Sequence, residues 1–184
     1  MANPEHLGRL LAGVQEWNAW RSAGSLIEVD LRGVHLPGAD LRGADLCYAK
    51  LQGANLAAAR LEGAILDRAD LGMTDLRHAN LYRAHLRGAL LERTALGGAA
   101  LVEADLTLAR VIETDLDGTI LTGAVVWGTN FFGSDVQVAH GLAAGTGWIQ
   151  DESGVPPRDT SALAVDRRGL MLNGLEGVRR LASS

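Results

Sequence analysis

The sequence predicts an all-β solenoid, a chain wound into stacked short extended segments, and three observations predict it. Stepping by five from Leu26 to Val136, all 23 positions are apolar: 19 Leu, three Val (Val111, Val126, Val136) and Phe131. Two residues before each hit from Val29 to Ser134 runs a second column of 22 small or β-branched residues: 14 Ala, five Thr, two Val and one Ser. Aromatic residues make up only 4% of a chain that is 47% hydrophobic, so the core is built from many small aliphatic side chains in thin layers.

The five-residue period is neither the 3.6 of a helix nor the 2.0 of a flat strand. In Ala39-Asp40-Leu41-Arg42-Gly43 the order is small inward, polar outward, large inward, variable outward, and then one extra residue. The first four alternate as a short strand does. The fifth, often Gly (Gly33, Gly38, Gly43, Gly53, Gly63), interrupts the alternation and turns a corner, for which glycine's backbone freedom is suited.

The unbroken A-(D/N)-L-x-x units, as in Ala39-Asp40-Leu41-Arg42-Gly43-Ala44-Asp45-Leu46, resemble the pentapeptide-repeat family over roughly residues 24–139. The resemblance implies a right-handed quadrilateral β-helix with four units, or twenty residues, per coil. On that template the array makes about six coils and stands about 28 Å tall, with strands about 4.8 Å apart. A leucine-rich repeat also has a period near twenty. It lacks the five-residue subperiod and requires a recurrent Asn or Cys.

A solenoid exposes an apolar face at each end and needs caps. Residues 1–23 read as an N-terminal capping helix: Asn3 at the N-cap, Pro4 at the first turn, Glu5 complementing the dipole. Leu7, Leu10, Leu11, Val14 and Trp17 form one apolar stripe. This lead-in, through Trp17-Asn18-Ala19-Trp20-Arg21, also resembles segments that precede many bacterial arrays of the family. Residues 24–140 are expected to form the coil and residues 141–184 a tail that caps the stack or dimerises. In that tail, a Gly/Pro-rich loop precedes Met171, Leu175, Val178 and Leu181 at helical spacing.

The residues that could carry chemistry do not assemble into a site. Of five histidines, the template brings only His85 near a carboxylate, Asp105, one coil above, with no nucleophile or second ligand. Cys47 is the one cysteine, so no internal disulfide forms, and it reads as an incidental outward thiol in a reducing, cytoplasmic protein. The Asp and Asn residues before each Leu are expected to bond locally to the backbone at the bends rather than to hold calcium. No phosphate loop or nucleophile elbow is present. A side-chain-filled coil offers no interior pocket, so the expectation is no enzyme, no catalytic residue, no cofactor and no metal. No signal-like or spanning segment is read, so no membrane association is expected.

Some proteins of the resembled family mimic DNA and protect DNA gyrase from poisons. Residues 25–137 carry 15 Asp/Glu and 10 Lys/Arg. A duplex of similar length carries on the order of 16 negative charges, so the mimicry is weak. One acidic strip is expected, with Asp75 and Asp115 on one face and Asp117 and Asp135 nearby. The mildly acidic net charge of −5 argues against direct nucleic-acid binding. Outward positions turn apolar late in the array: Leu90, Val102, Leu108, Ile112, Ile120, Val125, Trp127 and Phe132. Such a concentration marks a covered surface. The expected function is a rigid scaffold for protein–protein interaction, with Leu108, Ile112, Ile120, Val125, Trp127 and Phe132 as its surface. The cover is the chain's own tail, a second copy in a homodimer, or another protein. A mimic that binds gyrase and protects it from quinolone-type poisons is the alternative.

Overall fold

The computed structural model describes residues 2–24, 28–142 and 149–150. Within them the chain returns upon itself every twenty residues. Parallel bridges join Asp30 to Lys50, Lys50 to Asp70, Asp70 to Leu90, Leu90 to Arg110 and Arg110 to Asn130, and three similar ladders run alongside. Twenty residues hold four five-residue units, so each coil has four faces.

Along most of the stack three backbone bonds per face tie each coil to its neighbours, one of them from the corner residue, as Gly53 donates to the Gly72 carbonyl (2.9 Å). Leu51 donates to the Asp70 carbonyl above (2.8 Å), and Lys50 donates to the Val29 carbonyl below (2.8 Å). Satisfying these groups along the stack meets the demand that buried backbone be paired. The two apolar columns fill the axis. Every residue of the large column from Leu31 to Val136 is buried except Leu36, and the small column is buried from Val29 to Thr129 except Ala39. Leu26 lies outside the described residues.

Corners fall every fifth residue from Gly33 to Gly133, with φ between 49° and 70° at all of them. Most close a turn of the kind in which Ala54 donates to Leu51 O (3.0 Å), with positive φ at the third residue; at the Glu113 corner the Thr114 amide donates instead to Ser134 Oγ (2.9 Å). Ten of these corners are not glycine, among them Ala58, Arg68, His78 and Leu108. For side chains bearing a Cβ that conformation costs about 1 kcal/mol each, so the regular ladder outweighs local preference there.

Two side-chain devices reinforce the bends. The Asp or Asn before each Leu accepts the amide two residues on, as Asn55 does from Ala57 and Asp70 from Gly72 (both 3.1 Å). The threonines of the small column are buried, yet their hydroxyls are paired. Thr74 donates to Leu51 O (2.8 Å), Thr94 to Leu71 O (2.8 Å), Thr119 to Leu96 O (2.9 Å) and Thr129 to Leu106 O (2.7 Å), each one coil below. Thr114 does the same with Leu91.

At the N-terminus the sequence predicts one helix, and there are two. Helix α1 spans Pro4–Ala12 and α2 spans Val14–Ala23, broken at Gly13, whose φ of 124° no helix accommodates. Asn3 caps α1 as expected, its side chain accepting the Glu5 amide (2.9 Å). The apolar stripe does not stay on one side: Leu10 and Trp17 are buried, while Leu11 is exposed.

These helices hydrogen-bond to the backbone of the first coils. The Asp30 amide donates to His6 Nδ1 (3.1 Å), and the Asp30 carbonyl accepts from Asn3 N (2.9 Å). Trp17 Nε1 donates to Asp45 O (2.8 Å), Asn18 Oδ1 accepts the Asp45 amide (2.9 Å), and Arg21 donates to Cys47 O (2.7 Å). Leu36 and Ala39, the two half-buried core residues, lie between these contact points.

Toward the other end, a short 3₁₀ turn at Val136–Val138 precedes His140, whose amide still bonds Thr119 O (2.7 Å). Strand β1 (Thr129–Asn130) pairs in parallel with β2 (Ile149–Gln150), again twenty residues on. The apolar run of Met171, Leu175, Val178 and Leu181 lies outside the described residues.

Candidate interaction surface

The twenty-residue register sorts every outward side chain onto one of four faces, each taken here by a late residue. The Trp127 face carries Asp45, Ile65, His85, Asp105 and Val125 in one ladder. Around one corner is the Phe132 face, with Asp30, Lys50, Asp70, Leu90, Arg110 and Asn130. Next comes the Asp115 face, with His35, Asn55, Asp75 and Ala95, and then the Ile120 face, with Asp40, Arg60, Asn80, Ala100 and His140.

This register distributes the six sequence-predicted surface residues. Val125 (41% exposed) and Trp127 (47%) share one face, and Leu108 (57%) occupies its corner toward the Phe132 face. Ile112 and Phe132 (46%) stack one coil apart on the adjoining face. Ile120 (38%) sits around the opposite corner. The residues therefore form a collar around three sides of the late coils rather than a flat patch. Val138, also partly exposed, was not singled out from the sequence.

Charge is distributed unevenly too. The Phe132 and Ile120 faces balance their carboxylates with Lys and Arg, largely through pairs that climb the stack: Arg93–Glu113 (2.7 Å), Arg110–Glu92 (2.7 Å) and Arg83–Glu103 (2.6 Å). The Asp115 face carries Asp75, Asp115, Asp117 and Asp135 against Arg77 alone among its described residues. The expected acidic strip therefore lies on one face, with Arg77 bonded to Asp75 (2.7 Å).

Other sequence-level candidates fall into structural roles. His85 does bridge to Asp105, but the Asp105 carboxylate takes Arg87 Nε (2.6 Å) and the Thr107 amide (3.0 Å). Cys47 is half-buried rather than fully outward. Burial, with the nearby Asp45 and Asp67 carboxylates, pushes its thiol up from the usual range. Among the described residues, no group of three or more His, Cys, Asp or Glu is placed to hold a metal, and no helix is long and apolar enough to cross a membrane.

A coil whose axis is filled by two columns of buried side chains and whose ladders repeat every twenty residues defines the class: a β-solenoid. The model for pentapeptide repeats matches residues 25–63, 54–93, 84–123 and 99–137, in eight copies, and the chain belongs to that family. No curated sequence matches it. Among solved structures it is similar to HetL, a pentapeptide repeat protein involved in heterocyst differentiation regulation from the cyanobacterium Nostoc sp. That similarity is 31% identity over 63% of this chain and 63% of HetL, with a TM-score of 0.41. It is also similar to the pentapeptide repeat protein Rfr23 from the cyanobacterium Cyanothece, at 29% identity over 60% of this chain and 86% of that one, TM-score 0.39. A third likeness is to QnrB1, a plasmid-mediated fluoroquinolone resistance protein, at 18% identity over 79% and 94% of the two chains, TM-score 0.32. The chain thus spans less than two thirds of the length of HetL.

Proposed function

We propose that this chain is a non-enzymatic, cytoplasmic scaffold for protein–protein interaction. In this reading residues 24–140 form a right-handed square coil of about six turns, residues 1–23 cap its lower end, and the collar of late coils is the partner surface. The observation that carries it is the loss of charge in that collar. From Gly118 to Leu142 the one Asp, Glu, Lys or Arg is Asp135, while Ile120, Val125, Trp127 and Phe132 stand exposed. Depletion of charge with exposed aromatics is the composition of an interface centre.

The test is a Trp127→Ala/Phe132→Ala variant, followed by its solution mass and its melting temperature. Interface residues give an unchanged melting temperature per subunit and loss of assembly, either with a second copy or with a captured partner. A wild-type monomer whose melting temperature drops by several degrees in the variant identifies the collar as covered by the chain's own residues, and the reading fails.

The Asp115 face supports a second reading, a mimic of a nucleic-acid backbone that binds gyrase and protects it from quinolone-type poisons. Four carboxylates against one guanidinium give that face most of the coil's net negative charge. Supercoiling assays with purified gyrase, with and without a quinolone, decide it. Absence of both inhibition and protection at micromolar protein removes this reading.

A further inference from the structure

We propose that His6 is an acid-sensitive latch: as a neutral ring it fastens α1 to the first coil, and when protonated it releases it. The Asp30 amide opens a column whose later members bond backbone. Lys50, Asp70, Leu90, Arg110 and Asn130 donate to the carbonyls of Val29, Ala49, Ala69, Ala89 and Ala109, one coil below, at 2.8–2.9 Å. Asp30 donates instead to His6 Nδ1 (3.1 Å). A carbonyl accepts at any pH, whereas an imidazole nitrogen accepts only while it is unprotonated. Of these six rungs, the first has the acceptor that a proton can withdraw.

The ring has little room to turn aside. His6 is 8% exposed and lies against Trp20 of α2, ring centroids 5.4 Å apart, and Trp20 packs in turn on buried Trp17 (5.1 Å). With Nδ1 accepting, the neutral ring carries its proton on Nε2. An imidazolium has two donors and no acceptor, so Nδ1–H would point at the Asp30 N–H. Two donors cannot share that contact, and the ring has to leave it.

The charges around the ring are already matched. Glu5 on α1 is bonded by Arg9 (2.7 Å), and Asp30 on the first coil by Arg32 (2.6 Å). Arg9 also lies over the Trp20 ring (4.9 Å to its centroid), and the charge of the amino terminus acts on Asp30. On α2, Glu16 is exposed, while Arg21 turns to Cys47 O (2.7 Å) and Asp45 (3.6 Å). A positive His6 would therefore join Arg9, Arg32 and the amino terminus around two carboxylates that are paired without it.

Release is confined to α1. Its start is tied to the same residue by a second bond, from Asn3 N to the Asp30 carbonyl (2.9 Å), and Asn3 is also the N-cap of α1. Helix α2 is held elsewhere, by Trp17 and Asn18 on Asp45 and by Arg21 on Cys47. Protonation thus frees α1 while α2 stays docked, and Leu10, which α1 buries in the core cluster, is uncovered with it. None of these residues belongs to the collar, so the latch and the scaffold reading stand or fall separately.

The experiment follows the full-length, ¹⁵N-labelled chain by NMR between about pH 7 and 5, the range in which histidine is the side chain that changes charge. At the upper end the His6 ring should show the Nε2–H tautomer. As the ring gains its second proton, exchange of the Asp30 amide, corrected for its intrinsic rate, should rise at least about tenfold, with the Leu7 and Leu10 amides following. The Lys50 and Asp70 amides and the Trp17 indole N–H should hold. His6→Asn places an oxygen near the Nδ1 position and cannot be protonated there, so it should abolish the step. His6→Phe keeps a ring without an acceptor and should leave Asp30 exchanging fast throughout. The wild-type readings stand without either variant. An Nδ1–H tautomer at the upper end, a ring that titrates with no change at Asp30, or a step that persists in His6→Asn would overturn the proposal. An equal rise at Lys50 would overturn it too, because it marks opening of the coil rather than release of α1.

Discussion

Between Asp30 and Glu113 the outward side chains tie one coil to the next. Arg87 reaches Asp105, Arg83 reaches Glu103, Arg93 reaches Glu113, and Arg60 reaches back to Asp40 (3.4 Å). From Gly118 to Leu142, Asp135 is the one Asp, Glu, Lys or Arg. The same two columns continue inward, with Leu121, Ala124, Val126 and Thr129 all buried, but apolar residues replace the ions outside. The corners change as well. Positions 103, 108 and 113 are Glu, Leu and Glu, whereas 118, 123, 128 and 133 are all Gly. The coil therefore does not need its ionic ladder in order to form. Exposed pairs contribute at most about 1 kcal/mol each, and the columns carry the fold. Outward positions are thus available for recognition, and the last coil is where the sequence departs most from a solvated wall.

The sharpest way to break this comparison is the same core truncation in both regions. Leu76→Ala, with coils above and below it, should cost about 3 kcal/mol, within the 2–5 kcal/mol typical of buried leucines. Leu121→Ala, nearer the end of the stack, should cost about 2 kcal/mol because a terminal layer has fewer neighbours. Urea unfolding of the two variants measures both. A larger loss at Leu121 than at Leu76 would show that the last coil is enclosed as deeply as the middle, and the collar would no longer count as open surface.

A smaller effect tests whether the buried threonines do the same work in both regions. Thr94→Val and Thr129→Val each remove one hydroxyl bond to a carbonyl one coil below, and each should cost about 1 kcal/mol. A cost near zero at Thr129 alone would mean that water or another donor reaches Leu106 O in the late coil.

The columns, the corners and the acidic strip were legible because each is a strict function of position. A five-residue period carries the inward and outward sense, and the twenty-residue register carries the neighbours. Asp75 and Asp115 could therefore be placed on one face before any coordinates. The N-terminal break was less legible. Leu7, Leu10, Leu11, Val14 and Trp17 stay in helical phase across Gly13, so the apolar pattern points to one helix. Gly13 was the only signal against it. Nor does any pattern announce that Trp17, Asn18 and Arg21 would satisfy the backbone of Asp45 and Cys47. Those bonds depend on where α2 docks, which is tertiary information.

The corners sharpen the contrast at the level of about 1 kcal/mol. Ala58 holds a φ of 56° in the early stack, so Ala58→Gly should relieve strain and raise stability by up to about 1 kcal/mol. Gly118, at φ 63°, has only the Gly98 backbone near its missing Cβ, at 3.9 Å, so Gly118→Ala introduces little besides the backbone penalty. It should cost about 1 kcal/mol. Opposite signs in thermal melts support the assignment of strain to the non-glycine corners. A loss in both would mean that Ala58 contributes packing which the outer wall does not reveal.

The smallest effect concerns acid. A hydrogen bond from the Arg32 guanidinium holds Asp30 down at about 2, and Arg42 does the same to Asp40. Unfolded aspartate titrates near 3.9, so the folded state binds these protons less readily. The stabilisation is therefore fully present above about pH 4 and is lost as pH falls toward 2. Asp40 is exposed and Asp30 half-buried beside an exposed arginine, so screening keeps the contribution small. Hydrogen exchange should show the Leu31 and Leu41 amides, beside these pairs, losing modest protection between about pH 4 and 2 after correction for intrinsic exchange. The Val125 and Asn130 amides lie in the coil whose one carboxylate is Asp135, and they should change less. Arg32→Gln and Arg42→Gln together should erase the difference between the two regions. If the difference persists, the early coils draw their acid sensitivity from another set of carboxylates, and the ionic ladder is not what distinguishes them from the collar.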